Sequence, residues 1–516
     1  MKTLTLILLC LALAAQGQNS PTRVWTGYGE DYGDSYGAGI TGGDFNNDGF
    51  SDVLLGAFGW NNGQGKDYLY LGSPAFFDSA SFTFVGNSDS LDDAFDLDIS
   101  NVQDVNGDSI ADFLIPAYYC ETGGYVEIFF GGVALDTIED WLVKKQAQFY
   151  LETFGYSTDS TGDVNGDGWS DFIICGGDPD ADSSYMEIYF GGPDLDTIPD
   201  WHYATTQFVQ YPFQVNGLGD VNGDGYDDIL AYKPVTSAPY FPGLLFFGGS
   251  PMDTIPDMEF LPGMIAGGAI GDVNGDGYCD MVASTGGPSH VYFGSANMDT
   301  IPDVAIFGLN GQPIGITTIS AGDINGDGIS DILCSVQGYA GIYLGSPWFN
   351  GALDWWYSEF WMYDGFNIGG VGDVNGDACD DFVLGLRYYQ SPFNRGKAYL
   401  YAGNPNMVDN GAGVAPEELP RHPGWFKLHQ NFPNPFNSST SIHFEIGKPS
   451  VVNAAIYDLQ GNTINQLIKD QSLLPGGYNV SWAGKNSANQ PVGSGIYILE
   501  LQVDQYRQMK KMVLIR

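Results

Sequence analysis

The sequence predicts an all-β protein in which a seven-bladed β-propeller is followed by a small immunoglobulin-like β-sandwich. A motif of the general form D-x-N-x-D-G-x-x-D occurs seven times, at intervals of 60, 59, 57, 52, 51 and 50 residues. A nearly fixed period of this size indicates a repeat architecture. The 72 glycines, 14% aromatic residues and only 16% charged residues favour β-structure with many turns. After the last repeat, a second set of short β-type runs predicts the separate sandwich.

The motif places oxygen ligands at alternate positions of a tight loop. In the third copy these are Asp163, Asn165 and Asp167 at positions 1, 3 and 5, the carbonyl of Trp169 at position 7, and Asp171 at position 9. Calcium takes about six to eight oxygen ligands, whereas magnesium prefers to keep its waters. Glycine at position 6 tolerates the positive φ of a sharp turn. We therefore predict up to seven Ca²⁺ ions with a structural role; the alternative is a set of Asx-turns without metal.

The predicted ligands are the side chains at positions 1, 3, 5 and 9 of each copy. Ser109 and Ala378 replace glycine at position 6 of the second and seventh copies, so the occupancy of these two sites is left open. The complete set is Asp44, Asn46, Asp48, Asp52, Asp104, Asn106, Asp108, Asp112, Asp163, Asn165, Asp167, Asp171, Asp220, Asn222, Asp224, Asp228, Asp272, Asn274, Asp276, Asp280, Asp323, Asn325, Asp327, Asp331, Asp373, Asn375, Asp377 and Asp381.

Each motif leads directly into a short apolar run, such as Val53-Leu54-Leu55 or Phe172-Ile173-Ile174. Such runs predict buried strands, whereas the similar loops of dockerins and EF-hands lead into helices. Residues 24–403 resemble the FG-GAP repeat of the integrin α-subunit propeller. The resemblance implies four-stranded blades around a ring. We expect the loops to lie together on one face of that ring.

Every repeat has the same order of parts. A Gly-rich approach leads to the loop, the buried strand, a second strand ending in aromatic-Gly, and an outer segment that often opens Asp-Thr-Ile. The seventh repeat has no outer segment, and residues 23–26 have no loop of their own. We therefore predict that residues 23–26 supply the missing strand and close the ring, which removes exposed sheet edges. An open β-solenoid is the alternative.

Repeating aromatic residues at strand positions are predicted to form the core; they include Phe129, Tyr189, Phe246, Tyr292 and Tyr343. Trp355, Trp356 and Trp361 do not repeat in this way. They could line a rim that binds a sugar or a protein, or pack between blades.

Four segments follow from the order of the chain. Residues 1–17 have the positive start, apolar core and small-x-small ending of a signal peptide. Residues 18–405 form the predicted propeller, 406–424 a linker, and 425–516 the second domain. No other apolar run approaches the ~18 residues needed to span a bilayer.

The second domain carries three specific motifs. Residues 428–437 read Leu-His-Gln-Asn-Phe-Pro-Asn-Pro-Phe-Asn, 456–461 read Ile-Tyr-Asp-Leu-Gln-Gly, and the sequence ends Lys-Lys-Met-Val-Leu-Ile-Arg. This stretch is similar to the type A C-terminal sorting domain of the bacterial type IX secretion system. The resemblance implies contact with the secretion machinery, passage across an outer membrane, and a secreted, extracellular or cell-surface product. An ordinary accessory sandwich is the alternative.

The charge distribution separates the two domains. The net charge is −45, yet residues 425–516 hold 8 of the 18 lysines and arginines and only 5 of the 63 acids. The propeller is therefore strongly acidic, which argues against nucleic acid as a partner because binding there depends on lysine and arginine. The cysteines do not suggest a disulfide framework, and we expect them to be mostly buried thiols.

No H-E-x-x-H, G-x-S-x-G or Walker motif accompanies the five histidines. We favour a monomeric, secreted or cell-surface calcium-binding propeller that acts as a binding or adhesion module for a protein or glycan. Enzymatic activity is left open, with a non-enzymatic role favoured. The alternatives are an extracellular carbohydrate-active enzyme (a polysaccharide lyase or hydrolase) with its site in the propeller channel, and a structural component of a surface layer.

Overall fold

The computed structural model describes residues 20–77, 79–86, 99–118, 124–145, 153–178, 183–205, 213–232, 242–260, 264, 266–284, 287–308, 317–336, 339–358, 366–389, 394–408, 426–429, 431–446, 448–457, 463–503 and 506–515. The predicted signal peptide, residues 409–424 of the predicted linker, and Trp361 lie outside these residues. The chain divides into two compact units, Met1–Val414 and Ala415–Arg516.

The first unit contains strands β1 to β28. They are β1 Thr22–Tyr28, β2 Ile40–Gly43, β3 Asp52–Gly56, β4 Lys66–Tyr70, β5 Phe82–Val85, β6 Ser100–Gln103, β7 Asp112–Ala117, β8 Tyr125–Phe129, β9 Trp141–Lys144, β10 Ser157–Gly162, β11 Asp171–Asp178, β12 Ser183–Tyr189, β13 Trp201–Thr205, β14 Gln214–Gly219, β15 Asp228–Tyr232, β16 Leu244–Phe246, β17 Met258–Glu259, β18 Ala266–Gly271, β19 Asp280–Ser284, β20 Ser289–Tyr292, β21 Val304–Ile306, β22 Thr317–Gly322, β23 Asp331–Val336, β24 Tyr339–Tyr343, β25 Trp355–Tyr357, β26 Asn367–Gly372, β27 Asp381–Gly385 and β28 Lys397–Ala402. A single short turn at Trp60–Gly63 is the one helical element among the described residues.

These strands form seven antiparallel four-stranded sheets in the described part of the chain, and each sheet is one blade. Blades 1 to 6 take four consecutive strands each, from β2–β5 to β22–β25. Blade 7 has the order β1-β28-β27-β26, because β1 pairs antiparallel with β28, with Thr22 opposite Ala402. The N-terminal segment therefore supplies the missing strand, as predicted.

The innermost strands close a ring. Each first strand contacts the first strand of the next blade, from β2 through β6, β10, β14, β18 and β22 to β26, and β26 contacts β2 again. This closure excludes the open solenoid and confirms the propeller fold.

A separate apolar cluster fills each of the seven gaps between neighbouring blades. In blade 1, Leu54 packs against blade 2, whereas Val53 and Leu55 pack against blade 7. The second strand of a blade is therefore buried on both faces, and all five residues of β3 are buried. This two-sided burial explains why the run after each motif is continuously apolar rather than alternating.

The repeating aromatic residues form these interfaces, as predicted. Phe129, Tyr189, Phe246, Tyr292 and Tyr343 are all buried. Two of them pack against a tryptophan in the outer strand of the preceding blade. The ring centroids of Trp141 and Tyr189 are 5.4 Å apart, and those of Trp201 and Phe246 are 5.5 Å apart. Trp355 packs in the same way, 5.5 Å from Tyr401 of blade 7. It is therefore an interface residue rather than part of a binding rim.

The second unit is a β-sandwich of seven strands within the described residues. They are β29 Phe426–Leu428, β30 Thr440–Ile446, β31 Ser450–Tyr457, β32 Thr463–Leu473, β33 Gly476–Trp482, β34 Gly495–Val503 and β35 Tyr506–Leu514. A three-stranded sheet, β29-β30-β33, and a four-stranded sheet, β32-β31-β34-β35, enclose a common apolar core that includes Phe444, Ile456, Trp482 and Leu499.

Candidate metal centres

Each motif forms the connection between the first and second strands of a blade. The aspartate at position 9 is the first residue of the second strand in all seven blades, as Asp171 is in β11. Positions 1 to 8 form the loop itself. The fold therefore places all seven predicted sites in equivalent positions of the ring.

The carboxylate at position 1 organises the turn. In the third loop, Asp163 Oδ1 accepts hydrogen bonds from the backbone N–H groups of Gly166 and Asp167 at 2.7 and 3.0 Å. Asp163 Oδ2 accepts the N–H of Gly168 at 2.8 Å. The bond from position 6 to position 1 occurs in every loop. The side chain at position 5 likewise accepts the N–H of position 7 in every loop.

Position 6 has a left-handed backbone whether or not it is glycine. The φ angle is 94° at Gly168, 67° at Ser109 and 66° at Ala378. The N–H groups of Ser109 and Ala378 still bond to the position-1 carboxylate, at 2.7 and 2.8 Å. The second and seventh loops therefore keep the same turn, at the cost of a strained non-glycine residue.

The carboxylate at position 9 is a buried clamp. Asp171 Oδ2 accepts the N–H of Val164 at position 2 of its own loop at 3.0 Å. Asp171 Oδ1 accepts the N–H of Gly191, just beyond the third strand, at 2.9 Å. The same pair of bonds recurs in all seven blades. In the second, third and seventh loops, one oxygen of this carboxylate also accepts the Nδ2 group of the position-3 asparagine at 3.3–3.4 Å. At least one oxygen of each position-9 carboxylate therefore keeps acceptor capacity for a cation.

Burial makes this clamp expensive to ionise without a cation. Removal from water, together with repulsion from the other two aspartates of the loop, raises the pKa of Asp171 and Asp331 to about 8. The same causes raise the pKa of Asp52, Asp112, Asp228, Asp280 and Asp381 to about 7. The backbone N–H groups act in the opposite direction but do not cancel the cost of burial.

The asparagine at position 3 offers a neutral oxygen. In the first and fifth loops, Asn46 Oδ1 and Asn274 Oδ1 are buried and have no hydrogen-bond partner within the described chain. The Nδ2 group of Asn46 donates to Asp48 Oδ2 at 3.0 Å. A buried amide oxygen without a partner is uncommon and calls for a donor or a cation.

The donor chemistry fits calcium, since each loop offers three carboxylates, an amide oxygen and a backbone carbonyl. The carboxylates of a loop, however, are held by backbone N–H groups rather than gathered around a point. Among the described residues, none of the seven loops brings oxygen atoms of its three carboxylates within 4.8 Å of one another. Cation binding would therefore draw the loop side chains together.

Neighbouring loops are bonded to one another around the ring. The N–H of Ser170, at position 8, donates to the carbonyl of Asp104, at position 1 of the preceding loop, at 3.2 Å. Five further pairs repeat this bond, from Asp227 N–H to Asp163 through Ser51 N–H to Asp373. The loops therefore lie on one face of the ring, as predicted.

The glycine after each third strand is a partner that the predicted ligand set did not include. A Cβ at Gly191 would clash with the carbonyl oxygen of Ser170. The same clash would occur at Gly72, where the carbonyl belongs to Ser51. Glycine is therefore required for the N–H to reach the position-9 carboxylate. The repeated aromatic-Gly ending of this strand was its sequence signal.

The described histidines and cysteines of the propeller lie in ion-pair or partly to fully buried positions. Glu187 is buried and bonds to Lys145 of blade 2 at 3.0 Å and to the hydroxyl of Tyr189 at 3.0 Å, with His202 Nδ1 at 3.5 Å. Burial lowers the pKa of His290. The four described cysteines, Cys175, Cys279, Cys334 and Cys379, are reduced thiols.

Comparison with known proteins identifies two parts of the chain. A family model described as an FG-GAP-like repeat matches residues 272–334, which run from the fifth motif loop into the second strand of blade 6. A model described as a secretion system C-terminal sorting domain matches residues 430–515, nearly all of the sandwich. The chain thus carries an FG-GAP-like repeat within the propeller and a C-terminal sorting domain.

The sorting domain indicates export to the cell surface or the extracellular space by secretion machinery. None of the described residues forms a helix with the length and apolar character of a bilayer span. The search of curated proteins found no match.

One similar solved structure is PorZ, described as an essential bacterial surface component of the type-IX secretion system of the human oral-microbiomic Porphyromonas gingivalis. The two share 14% identity with a TM-score of 0.35, over 90% of this chain and 58% of that chain. The chain thus spans little more than half the length of PorZ.

Proposed function

We propose that this exported propeller is stabilised by calcium in its seven loops and binds a protein or glycan on the opposite face. The observation that carries the calcium proposal is the buried carboxylate at position 9. It is costly to ionise in isolation, and it lies at the end of a loop that supplies further oxygen donors. A divalent cation would offset that cost at every blade interface.

The free energy of calcium binding is large enough to stabilise the folded propeller. With a Kd of ~0.1 mM and calcium at ~1 mM, each site contributes about 1.4 kcal/mol, and seven independent sites about 10 kcal/mol. This sum is comparable to the whole stability of a domain. Because neighbouring loops share backbone hydrogen bonds, ordering of one loop would also support the next.

The lengths of the connections support a ligand surface on the other face. Eight residues join the first and second strands in every blade. The connections between the second and third strands, by contrast, range from two residues between β23 and β24 to eleven between β15 and β16. Variable loops on a constant scaffold are typical of binding surfaces.

Elemental analysis of the purified chain, together with thermal melts with and without EGTA, tests the calcium proposal. We expect several calcium ions per chain and a large, reversible fall in Tm when EGTA is added. No bound calcium and an unchanged melt would show that the loops are turns alone.

A panel of polysaccharides and surface proteins tests the binding role separately. Stoichiometric binding without turnover is the expected result. Release of reducing ends or unsaturated sugars would instead identify a carbohydrate-active enzyme, and self-assembly at high concentration would indicate a surface-layer component.

A further inference from the structure

Three polar side chains meet on the outer face of the three-stranded sheet in the sandwich. His443 and Glu445 are alternate residues of β30, so they share one face of the strand. The other face carries Ile442, Phe444 and Ile446, all in the core. His429 directly follows β29, and its N–H donates to the carbonyl of His443 at 2.9 Å. Pairing of β29 with β30 therefore brings both imidazoles beside Glu445.

The ligand atoms of this group are close together. His429 Nε2 lies 2.9 Å from Glu445 Oε1, and His443 Nε2 lies 3.5 Å from the same oxygen. The two imidazole ring centroids are 4.8 Å apart. Within the described part of the chain, this is the only set of three or more histidine, cysteine or carboxylate groups whose ligand atoms all lie within 4.8 Å of one another.

A neighbouring strand holds His443 in the orientation that a metal ligand needs. His443 Nδ1 lies 3.0 Å from Asn479 Oδ1, and the two residues are paired across β30 and β33. The side-chain oxygen Oδ1 of Asn479 can only accept a hydrogen bond. Nδ1 of His443 therefore carries the hydrogen, and Nε2 of His443 keeps its lone pair. Metal-bound histidines usually have such a partner on the second ring nitrogen.

Glycine keeps the space beside this ring open. Gly477 pairs with Glu445 across the same two strands. A Cβ at Gly477 would lie 3.3 Å from His443 Cε1 and 3.9 Å from Glu445 Cγ. The neighbouring strand thus supplies both an orienting amide and room for the imidazole.

We propose that His429, His443 and Glu445 bind one divalent transition-metal ion of the zinc class. Two imidazole nitrogens and one carboxylate suit Zn²⁺ and Cu²⁺, whereas calcium takes oxygen ligands. The set is therefore chemically distinct from the propeller loops. Three protein ligands leave at least one coordination position of a tetrahedral ion for water or for a donor atom of another molecule.

Zinc competition tests the proposal on the full chain, prepared without a polyhistidine tag and kept at pH 7.5 in saturating calcium. A chromogenic zinc chelator reports the stoichiometry and affinity. We expect one Zn²⁺ per chain, with affinity at least 10-fold weaker in both His429→Gln and His443→Gln. Asn479→Ala should weaken binding severalfold by releasing the orientation of His443. His202→Gln and His290→Gln are matched controls that should bind zinc as the wild type does.

Copper provides a signature that the calcium loops cannot imitate. The EPR spectrum of the Cu²⁺-loaded chain should show coupling to two nitrogen nuclei, and His429→Gln should leave coupling to one. Thermal melts of each variant without zinc check folding. Both imidazole side chains are partly exposed, so either variant carries the test if the other fails to fold. Wild-type zinc affinity in His429→Gln, or a copper spectrum without nitrogen coupling, would overturn the proposal.

Discussion

Asp67 in blade 1 is a buried carboxyl group without compensation. It is fully buried in β4, and neither carboxyl oxygen has a hydrogen-bond partner within the described residues. Burial, followed by repulsion from Glu127 of blade 2, raises its pKa well above the usual value. The equivalent strand position holds Val126 in blade 2, Met186 in blade 3 and Ala340 in blade 6. An apolar residue therefore suits this interface.

Asp67→Val should stabilise the propeller at neutral pH. A buried polar group without a hydrogen bond costs about 1–3 kcal/mol. Because the folded pKa is raised, the free-energy cost of Asp67 is smallest below its unfolded pKa and grows as pH rises towards the folded pKa. The advantage of the variant should therefore grow upward from about pH 4. Urea unfolding of both proteins from pH 4.5 to 8 measures it, and a difference independent of pH would contradict the assignment.

Ala378→Gly should stabilise the seventh loop by about 1 kcal/mol, because it relieves a left-handed alanine. Gly168→Ala is the matched reverse change: φ there is 94°, and an added Cβ meets nothing within 4 Å. This second variant should lose a similar amount. Denaturant unfolding in EGTA measures the backbone strain without any contribution from calcium. Equal stability of the wild type and both variants would show that position 6 is not strained.

At the scale of the element, two aspartates of one loop have different roles: Asp171 holds the backbone, and Asp167 is a proposed calcium ligand. Asp171→Ala leaves the buried N–H of Val164 and the partly buried N–H of Gly191 without an acceptor, so it should cost about 3 kcal/mol even in EGTA. Asp167→Asn, at the exposed position 5, should cost less than about 0.5 kcal/mol in EGTA. In calcium, the Asn variant should lose one bound ion and part of the calcium-dependent rise in Tm. Thermal melts in both buffers distinguish the roles, and an Asp171→Ala defect seen only in calcium would refute the clamp.

The sequence predicted the repeating elements well because period, apolar runs and turn residues are local signals. The seven loops, the buried strands and the closing role of residues 23–26 all follow from such signals. Strand β32, Thr463–Leu473, was missed because its pattern is largely polar. The sequence predicts that the outer segment of a repeat opens with Asp-Thr-Ile. In blade 2, however, Asp136 lies in a turn, and the outer strand β9 begins only at Trp141.

The contacts of the candidate sites were less predictable. The motif named the oxygen donors, but their hydrogen bonds depend on backbone groups that have no residue-specific signal. The link from Ser170 to Asp104 joins residues 66 positions apart and needs the ring to be built. The group around Glu445 was missed because His429 reaches it only through pairing of β29 with β30.

For the whole molecule, the closing strand should carry as much stability as an internal interface. Trp25 belongs to β1 of blade 7, and its ring lies 5.1 Å from Tyr70 and 5.0 Å from Phe77 of blade 1, between centroids. Trp25→Ala should therefore cost about 3 kcal/mol, like Trp141→Ala between blades 2 and 3. Thr22→Ala, at the exposed start of β1, is the control and should change little. Denaturant unfolding measures all three, and a neutral Trp25→Ala would mean that the ring does not depend on its closure.

Pairing of Thr22 with Ala402 also governs when the molecule can finish folding. These partners are separated by nearly the whole first unit, so closure has the highest contact order in the propeller and should come late. Until β1 pairs, β28 is an unpaired edge strand of blade 7, and blade 1 has a packed neighbour on one side only. An unpaired edge of this kind makes the incomplete chain prone to swap β1 with another copy of the chain. A chain that emerges from its N-terminus must therefore keep β1 unpaired until blade 7 has followed. Pairing of β1 with β28 then becomes the step that closes the propeller within one chain.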